Sequence, residues 1–396
     1  MTKSTKSKTR GFANRPEQPY NALLPLPPTA DLETKPILKR CVAARVELAS
    51  LKISGRLIPD QSVLINAIPM LEARASSEIE NIVTTNDSLF REASFGDSNP
   101  VSDPAAKEAM RYRTALHQGF QALSERPLTT RIAVDTCRTV TGTAFDVRAI
   151  PGTTLRNGIT GEVIYTPPEG AELIRNLLAN WERYVNDESA IDPLIRMAVQ
   201  HYQFEAIHPF SDGNGRTGRI LNLLFLVQTG LLDKPTLYLS RYILKTRSEY
   251  YANLARVTRN GDWENWVLYI LSAIEETARW TNAKVEAIRR LMEEATIFIR
   301  REKPRIYSRD LVEIIFSQPY CRIENLTQAG IGNRVTVSNY LKELVAISVL
   351  IDERVWRDRV FINRKYLDLL TSEEHRFPPY TVPEGPLADK SKQKSS

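Results

Sequence analysis

The stretch His208-Pro-Phe-Ser-Asp-Gly-Asn-Gly-Arg-Thr-Gly-Arg219 decides how this sequence is interpreted, because it combines a base, a carboxylate, an amide and two arginines with three glycines. Before it, Asp192 and Pro193 fit the N-cap and first turn of a helix. After it, residues 220–227 are apolar on nearly every face and Gly230 fits a C-terminal cap, which predicts a buried helix. The stretch is therefore predicted to be a loop at the N-terminus of a core helix, where free backbone N–H groups and the helix dipole attract anions.

The glycines of Gly213-Asn-Gly-Arg-Thr-Gly218 formally match the G-x-G-x-x-G pattern of dinucleotide-binding folds. That pattern needs a strand before it and an acidic residue about 20 positions later, whereas a helix is predicted before it here. Part of its physics still applies, because glycines let the backbone curl around phosphates. Arg216 and Arg219 add planar donors for phosphate oxygens. A nucleotide is the predicted anion.

His208 and Asp212 are the titratable pair of this loop. They could be two metal ligands or an ordinary surface pair, but the neighbouring arginines favour a third interpretation. Mg²⁺ is commonly held by one carboxylate together with phosphate oxygens and water, which fits Asp212. The reference pKa of histidine, about 6.5, suits proton transfer near neutrality, which makes His208 the predicted general base.

These residues resemble the signature of the Fic family of nucleotidyl transferases, H-P-F-x-[D/E]-G-N-G-R-x-x-R, at every specified position. The resemblance implies a mainly α fold, a Fic (Fido) helical core with a small β-hairpin flap. It also implies transfer of AMP from ATP to a Ser, Thr or Tyr hydroxyl of a target protein or of the chain itself. By the same resemblance, His208 deprotonates the hydroxyl, Asp212 holds Mg²⁺ on the phosphates and Phe210 anchors the loop. The implied nucleotide-binding residues are Gly213, Asn214, Gly215, Arg216, Thr217, Gly218, Arg219 and Tyr251. For Tyr251 alone, packing in the core is the alternative.

A glycine-rich, β-prone interval at residues 150–168 predicts a small hairpin that turns at Asn157-Gly158. It lies upstream of the loop, where the resemblance places the family's flap. An extended strand there could pair with a target segment main chain to main chain, with Val163, Ile164 and Tyr165 as the docking residues. An inert hairpin that only packs against the core is the alternative.

The segment Ser76-Ser-Glu-Ile-Glu-Asn81 fits a second pattern of the same family, the inhibitory helix [S/T]-x-x-x-E-[G/N], with Ser76, Glu80 and Asn81 in the specified places. A solvated helix face is the alternative. Ser76 and Glu80 are four residues apart and share a helix face, so the carboxylate can reach Arg219. An arginine occupied in this way cannot hold the γ-phosphate, and ATP would bind in an unproductive pose.

Length and composition bound the class of protein. The 396 residues, 42% hydrophobic and 25% charged, predict two to three globular domains. Three widely separated cysteines support neither a disulfide scaffold nor a zinc ribbon, which favours a reducing, cytoplasmic environment. No stretch reaches the ~20 apolar residues of a membrane span, so no membrane partner is expected. The predicted divisions are a basic tail 1–20, an N-terminal helical module 21–105, the Fic core 106–285, a linker helix 286–303, a winged-helix-like domain 304–370 and a tail 371–396.

The C-terminal domain is predicted from helical apolar spacing after Pro304, a turn at Ala329-Gly330 and two β-prone runs, residues 349–351 and 359–362. This order resembles a winged helix-turn-helix. Such a fold binds DNA in some proteins and serves as a dimer or docking module in others, and both remain open here. The basic residues on the predicted wing are Arg354, Arg357, Arg359, Arg364 and Lys365.

The net charge of +6 does not settle that choice, because residues 1–15 carry five basic and no acidic side chains. Two hypotheses of different classes follow. The first is a self-inhibited protein adenylyltransferase; the second is a DNA-binding regulator in which the Fic core senses a nucleotide. Within the enzyme class, Glu80 could alternatively activate water to remove AMP from a modified protein.

Overall fold

The computed structural model describes residues 15–57, 62–95, 103–156, 158, 160–188, 191–355 and 358–382. Its first nine helices are α1 Lys35–Leu57, α2 Ser62–Ile79, α3 Asn86–Phe95, α4 Pro104–Ala122, α5 Thr130–Thr141, α6 Ala171–Val185, α7 Pro193–Ile207, α8 Asn214–Gln228 and α9 Leu239–Lys245. The helices that follow are α10 Arg247–Asn260, α11 Trp263–Glu302, α12 Arg309–Ser317, α13 Ile323–Gln328, α14 Arg334–Ala346 and α15 Arg364–Thr371. The strands are β1 Leu155–Arg156, β2 Val163–Tyr165, β3 Tyr320–Cys321, β4 Ile351–Val355 and β5 Asp358–Ile362. The predicted mainly helical fold with a small hairpin is confirmed.

The described residues form two compact units. The first contains residues up to 53, 68–85 and 103–282, and the second contains 54–67, 86–95 and the residues from 283 onward. The long helix α11 is continuous from Trp263 to Glu302, so the predicted linker helix is the second half of a longer one. No helix within the described ranges is long and apolar enough to cross a membrane.

The core of the first unit is built around α7 and α8. Asp192 caps α7 by accepting from the Leu194 N–H at 2.8 Å, and Pro193 occupies the first turn, as the sequence predicts. Nearly every residue of both helices is buried, because other helices surround them. Trp266 of α11 fixes one of these contacts by donating from its indole to the Ala198 carbonyl at 2.7 Å. The predicted end of α8 is also confirmed, since Gly230 follows it with φ at +70°.

The hairpin of the first unit pairs β1 with β2 antiparallel, with Leu155 opposite Tyr165 and Arg156 opposite Val163. Both strands are shorter than the predicted interval. The predicted turn is only partly visible, because Asn157 lies outside the described residues.

The second unit has the order helix, strand, two helices and hairpin, from α12 to β5, with a sheet of strand order β3-β5-β4. This order matches the predicted arrangement, to which the structure adds the short strand β3 and the helix α15. Arg357 of the predicted wing lies outside the described residues.

Helix α3 belongs to this second unit, although the sequence grouped it with the N-terminal module. The reason is a set of contacts that the sequence does not reveal. Tyr320 donates its hydroxyl to Asp87, and Arg91 pairs with Glu353 at 3.0 Å. Ser94 donates to the Tyr320 carbonyl at 3.2 Å.

Both terminal tails were predicted to be longer than the structure allows. Thr166 accepts from the Tyr20 N–H at 3.0 Å and donates to the Pro16 carbonyl at 2.6 Å, so the segment from residue 15 packs on the first unit. Tyr380 is buried and stacks on Phe298 in the second unit. The rest of the predicted tails, residues 1–14 and 383–396, lies outside the described residues.

Candidate active site

The loop between α7 and α8 is held by its own amide and aromatic side chains. His208 ends α7 in the left-handed conformation, with φ at +49°, and donates its N–H to the Phe204 carbonyl at 3.0 Å. The Asn214 side chain then binds the backbone of Phe210 twice, accepting from its N–H and donating to its carbonyl, both at 2.8 Å. Phe210 itself is buried, as predicted. The left-handed conformation of His208 is uncommon for a non-glycine residue, and such residues are concentrated at functional sites.

Arg148 braces the same loop, and sequence reasoning missed it. Its Nε donates to the His208 carbonyl at 2.7 Å, and its Nη2 donates to the carbonyls of Ile207 and Pro168, at 3.2 and 2.6 Å. Pro168 follows the hairpin, so this one buried side chain ties the hairpin segment to the loop. No local pattern marks Arg148 in the sequence, because its partners are 20 to 60 residues away.

His208 is set up to accept a proton. Burial and, to a smaller extent, the Arg148 guanidinium lower the pKa of His208 to about 4, although Glu80 and Asp212 oppose the shift. The imidazole is therefore neutral near pH 7. Binding of a polyphosphate would raise this pKa toward the range that suits a general base, because added negative charge favours the imidazolium.

Arg219 of α8 is buried and bound by the last turns of α2 and by the turn that follows this helix. Its Nε donates to the Ser76 hydroxyl at 2.7 Å, and its Nη2 donates to the Ser76 carbonyl and to Glu80 Oε1, at 2.9 and 2.8 Å. Burial alone would raise the pKa of Glu80. The charge and hydrogen bond of Arg219, together with the charge of Arg216, outweigh burial and lower this pKa, so the carboxylate is ionised. The sequence predicted this pairing of Glu80 with Arg219.

Asn81 explains why the pattern asks for Gly or Asn after the glutamate. Helix α2 ends at Ile79, and Asn81 takes φ of +65°, a conformation that Gly and Asn adopt most readily. Its side chain accepts from Arg247 Nη1 at 2.9 Å. The chain therefore turns away directly after Glu80, which leaves the carboxylate at the end of the helix and facing α8.

Arg216 lies one helical turn before Arg219 and is also buried. Its Nη1 donates to Glu108 of α4, and its Nη2 is 3.3 Å from Asp212 Oδ1. The Asp212 side chain is 65% exposed and its Oδ1 also accepts from the Gly213 N–H at 2.6 Å. Across the described residues, no group of three or more His, Cys, Asp or Glu could hold a metal ion by itself. One exposed carboxylate beside two buried arginines fits Mg²⁺ that is held mainly by a nucleotide and water.

Comparison with known proteins agrees with this geometry. A model of the Fic/DOC family matches residues 130–226, and a model of the Fic/DOC N-terminal region matches residues 38–121. A third, described as the C-terminal domain of SoFic-like protein adenylyltransferases, matches residues 291–366.

The chain contains a Fic/DOC domain. Over 105 residues, 26% of this Fic chain, it is 40% identical to the protein adenylyltransferase fic-1 of Caenorhabditis briggsae and covers 19% of it. Over 112 residues, 28% of the chain, it is 33% identical to the protein adenylyltransferase Fic of Drosophila melanogaster and covers 21% of it. The matched segment thus spans about a fifth of the length of these curated relatives.

A solved structure shows the same fold. The crystal structure of a Fic family protein from Desulfovibrio desulfuricans G20 superposes with a TM-score of 0.53 at 18% identity. The similarity covers 85% of this Fic chain and 98% of that one.

Three residues of the Fic motif have surroundings other than those expected of phosphate ligands. The amide of Asn214 is occupied by Phe210, and Thr217 is buried with its N–H donated to the Gly213 carbonyl. A Cβ on Gly218 would lie 2.7 Å from Glu205 Oε1, so this glycine allows α8 to approach α7. These three residues shape the loop and the packing of α8, and the Asn214 amide and the Thr217 N–H are already used within the loop.

Gly213 and Gly215 have steric reasons of their own. Gly213 has φ at +78°, and a Cβ there would lie 2.7 Å from Thr141 Cγ2. A Cβ on Gly215 would collide with Glu80 Oε1, so the backbone of α8 comes close to an acidic group at this point. A helix N-terminus that admits a carboxylate so closely can also admit a phosphate oxygen.

The two tyrosines of α10 differ in environment. Tyr250 is buried and its hydroxyl is 2.9 Å from His201 Nε2, which makes it part of the core. Tyr251 is 40% exposed, and the Arg247 guanidinium lies 6.0 Å from its ring. Tyr251 is thus the one of the two that can meet a ligand.

The hairpin residues also divide into two kinds. Tyr165 donates its hydroxyl to the Ala206 carbonyl at 2.8 Å, in the last turn of α7 beside His208. Ile164 points outward and is 44% exposed, and Val163 is half-buried. Tyr165 therefore anchors the hairpin, and Ile164 is the side chain available to a partner.

Proposed function

We propose that this chain is a protein adenylyltransferase that transfers AMP from ATP to a Ser, Thr or Tyr hydroxyl of a target protein and of itself. One observation carries the proposal: His208 lies just before a helix whose first two turns bear two buried arginines, Arg216 and Arg219. A base beside a polyanion site suits nucleotidyl transfer. The adenylyltransferase names of the relatives support the same reaction.

In the proposed reaction, His208 accepts the proton of the incoming hydroxyl while its oxygen attacks the α-phosphorus of ATP. The bond from the α-phosphorus to the bridging oxygen breaks, and pyrophosphate leaves with that electron pair. Arg216, Arg219 and the free N–H groups of α8 bind the phosphates, because charge neutralisation and positioning are most of what phosphoryl-type transfer requires. Asp212 is the residue that would hold Mg²⁺, which would neutralise phosphate charge.

The hairpin offers a place for the target. Strand β2 pairs with β1 on one edge, and no other described strand pairs with it. A target segment that adds to this edge would be aligned by its main chain. Tyr165 and Arg148 tie the hairpin segment to the backbone around His208, so a docked hydroxyl would be presented close to the base.

Glu80 would restrain this activity. Its carboxylate occupies Arg219, and the phosphate that this arginine would bind must compete with it. Glu80 ionises more readily than an ordinary glutamate, since its pKa is lowered, so it remains a competitor throughout the neutral range. We expect the wild-type chain to have low activity and Glu80→Gly to release it.

The test uses purified full chain with ATP labelled at the α- or γ-phosphate. Glu80→Gly is expected to incorporate α-label at least tenfold faster than wild type, and Glu80→Gly/His208→Ala to lose a factor of about 10²–10⁴ relative to Glu80→Gly. No γ-label should be retained. Equal incorporation by all three proteins, or retention of γ-label, would contradict the proposal. Addition of lysate to Glu80→Gly would then identify the target.

A further inference from the structure

The contact between Glu108 and Arg216 has no counterpart in the motif patterns of this chain. Glu108 lies in the interior of α4, outside the loop and outside the inhibitory segment, and it accepts from Arg216 Nη1. The Arg216 side chain is only 3% exposed and that of Glu108 is 23% exposed. An arginine enclosed to this degree needs a counterion, and Glu108 is the more enclosed of its two acidic partners.

We propose that Glu108 is a positioning residue that holds Arg216 in the orientation in which it binds the phosphates of ATP, and that it keeps this contact when the nucleotide enters. The inference rests on the proposed function, because it assigns Arg216 to the phosphate chain. It gives Glu108 the opposite part to Glu80, which must leave its arginine before ATP can bind productively.

The contacts that hold α4 in place support a fixed position for Glu108. Asp103 caps the start of α4 by accepting from the Ala105 N–H at 2.9 Å. One turn after Glu108, Tyr112 is buried and donates its hydroxyl to Glu72 at 3.1 Å. Arg111 of the same helix donates from Nε to the Val140 carbonyl at 3.2 Å. A side chain on a helix bound at several points has little freedom to withdraw.

The three donor nitrogens of Arg216 differ in how strongly they are already bound, and this leaves donors for a phosphate. Nη1 is taken by Glu108, whereas Nη2 meets Asp212 only at 3.3 and 3.4 Å. Nε is buried and has no hydrogen-bond partner. Since the Asp212 side chain is 65% exposed, it can move aside toward solvent or a cation. A phosphate oxygen could then take Nη2 or Nε while Glu108 keeps the plane of the guanidinium fixed.

Without Glu108, Arg216 would sample other rotamers, and an ordered phosphate contact would lose its preorganisation. A charge-assisted hydrogen bond is worth roughly a tenfold change in affinity, so Glu108→Gln is expected to weaken ATP binding about tenfold. Adenosine has no phosphate and should bind Glu108→Gln as it binds the parent. This contrast separates a positioning effect from a general loss of structure, which would weaken both ligands.

The experiment measures dissociation constants of ATP and adenosine by calorimetry in the Glu80→Gly background, together with KM and kcat for AMP transfer. Glu108→Gln should raise the Kd and KM for ATP about tenfold and change kcat much less. The matched control is Glu47→Gln on α1, whose side chain is 21% exposed and paired with Arg279 at 2.9 Å, and which should change neither.

Three results would overturn the inference. Unchanged ATP affinity would mean that Glu108 only packs, and tighter ATP binding or faster transfer would mean that it is a second brake. A parallel loss of ATP and adenosine binding would mean a structural defect. If Glu80→Gly binds ATP but transfers no AMP, the proposed function fails while the positioning of Arg216 is still measured by affinity. If it binds no ATP, both fail.

Discussion

Arg216 and Arg219 lie one turn apart on the same helix, are both buried, and each pairs with a glutamate from a segment that precedes the Fic core motif. The two glutamates lie on different kinds of backbone. Glu80 stands in the turn where α2 has ended, and Glu108 stands in the interior of α4. The same chemical pair can therefore be a releasable contact or a fixed one, and the difference depends on the backbone that carries the acid.

The largest expected effect comes from removal of the arginine at the releasable pair. Arg219→Ala leaves Ser76 and Glu80 without their donor and should lower the free energy of unfolding by about 3–5 kcal/mol. Glu80→Gly should cost less, about 1–2 kcal/mol, because Ser76 still binds Arg219 and water can replace a carboxylate that is already a third exposed. Urea denaturation measures both. Equal losses would mean that Glu80 is as firmly fixed as its arginine, and Arg247→Ala, a half-buried control outside the pair, should cost less than about 1 kcal/mol.

The second expected effect concerns His201, a buried residue on which the charge of Arg219 acts. Burial and, to a smaller extent, the Arg219 charge lower the pKa of His201 to about 3, so the folded state binds fewer protons than the unfolded state as pH falls below 6.5. Stability from the neutral imidazole is present above pH 6.5 and is lost as pH falls toward 3. His201→Gln should remove this loss, which amounts to about 2 kcal/mol at pH 5.

The measurement is the difference in unfolding free energy between wild type and His201→Gln from pH 7.5 to pH 4.5. The difference is required because burial raises the pKa of Glu205 to about 7, which acts in the opposite direction on the total. His208, whose pKa is lowered to about 4, acts in the same direction as His201 and is common to both proteins. Parallel pH curves for the two proteins would contradict the expectation.

The smallest expected effect tests the turn that makes the Glu80 contact releasable. Asn81→Ala places a less suitable residue at positive φ and should cost about 1 kcal/mol. The strained turn should hold Glu80 less firmly and raise AMP incorporation a few-fold, less than Glu80→Gly does. Asn81→Gly also loses the bond to Arg247 but keeps the conformation, so it should behave as wild type. An equal rise in both variants would assign the effect to the Arg247 bond.

Local patterns predicted the parts of the site that neighbouring residues determine. The Asp192-Pro193 start of α7, the glycine after α8 and the hairpin all follow from such signals. The approach of Glu80 to Arg219 came from the family resemblance together with helical spacing, because periodicity alone cannot say which helix faces which.

The parts that the sequence did not predict depend on contacts between distant residues. Arg148 and Glu108 resemble any surface arginine or glutamate until the fold brings them to the loop. Helix α3 joins the second unit through Asp87 and Arg91, which carry no signal of their partners. Asn214 shows the reverse case: its position in the motif indicated phosphate binding, but the tightness of the loop directs its amide to Phe210.

The brace made by Arg148 has a consequence for which proteins could be modified. Arg148 binds the carbonyls of Pro168, Ile207 and His208 with one side chain. The distance between the hairpin segment and the backbone of His208 is therefore fixed. In the proposed reaction, a target side chain is selected by the distance between its hydroxyl and the extended main chain that pairs with β2. The identity of the neighbouring target residues has no part in this selection. Selectivity among targets would then be a matter of length, with residues that extend too far or too little left unmodified.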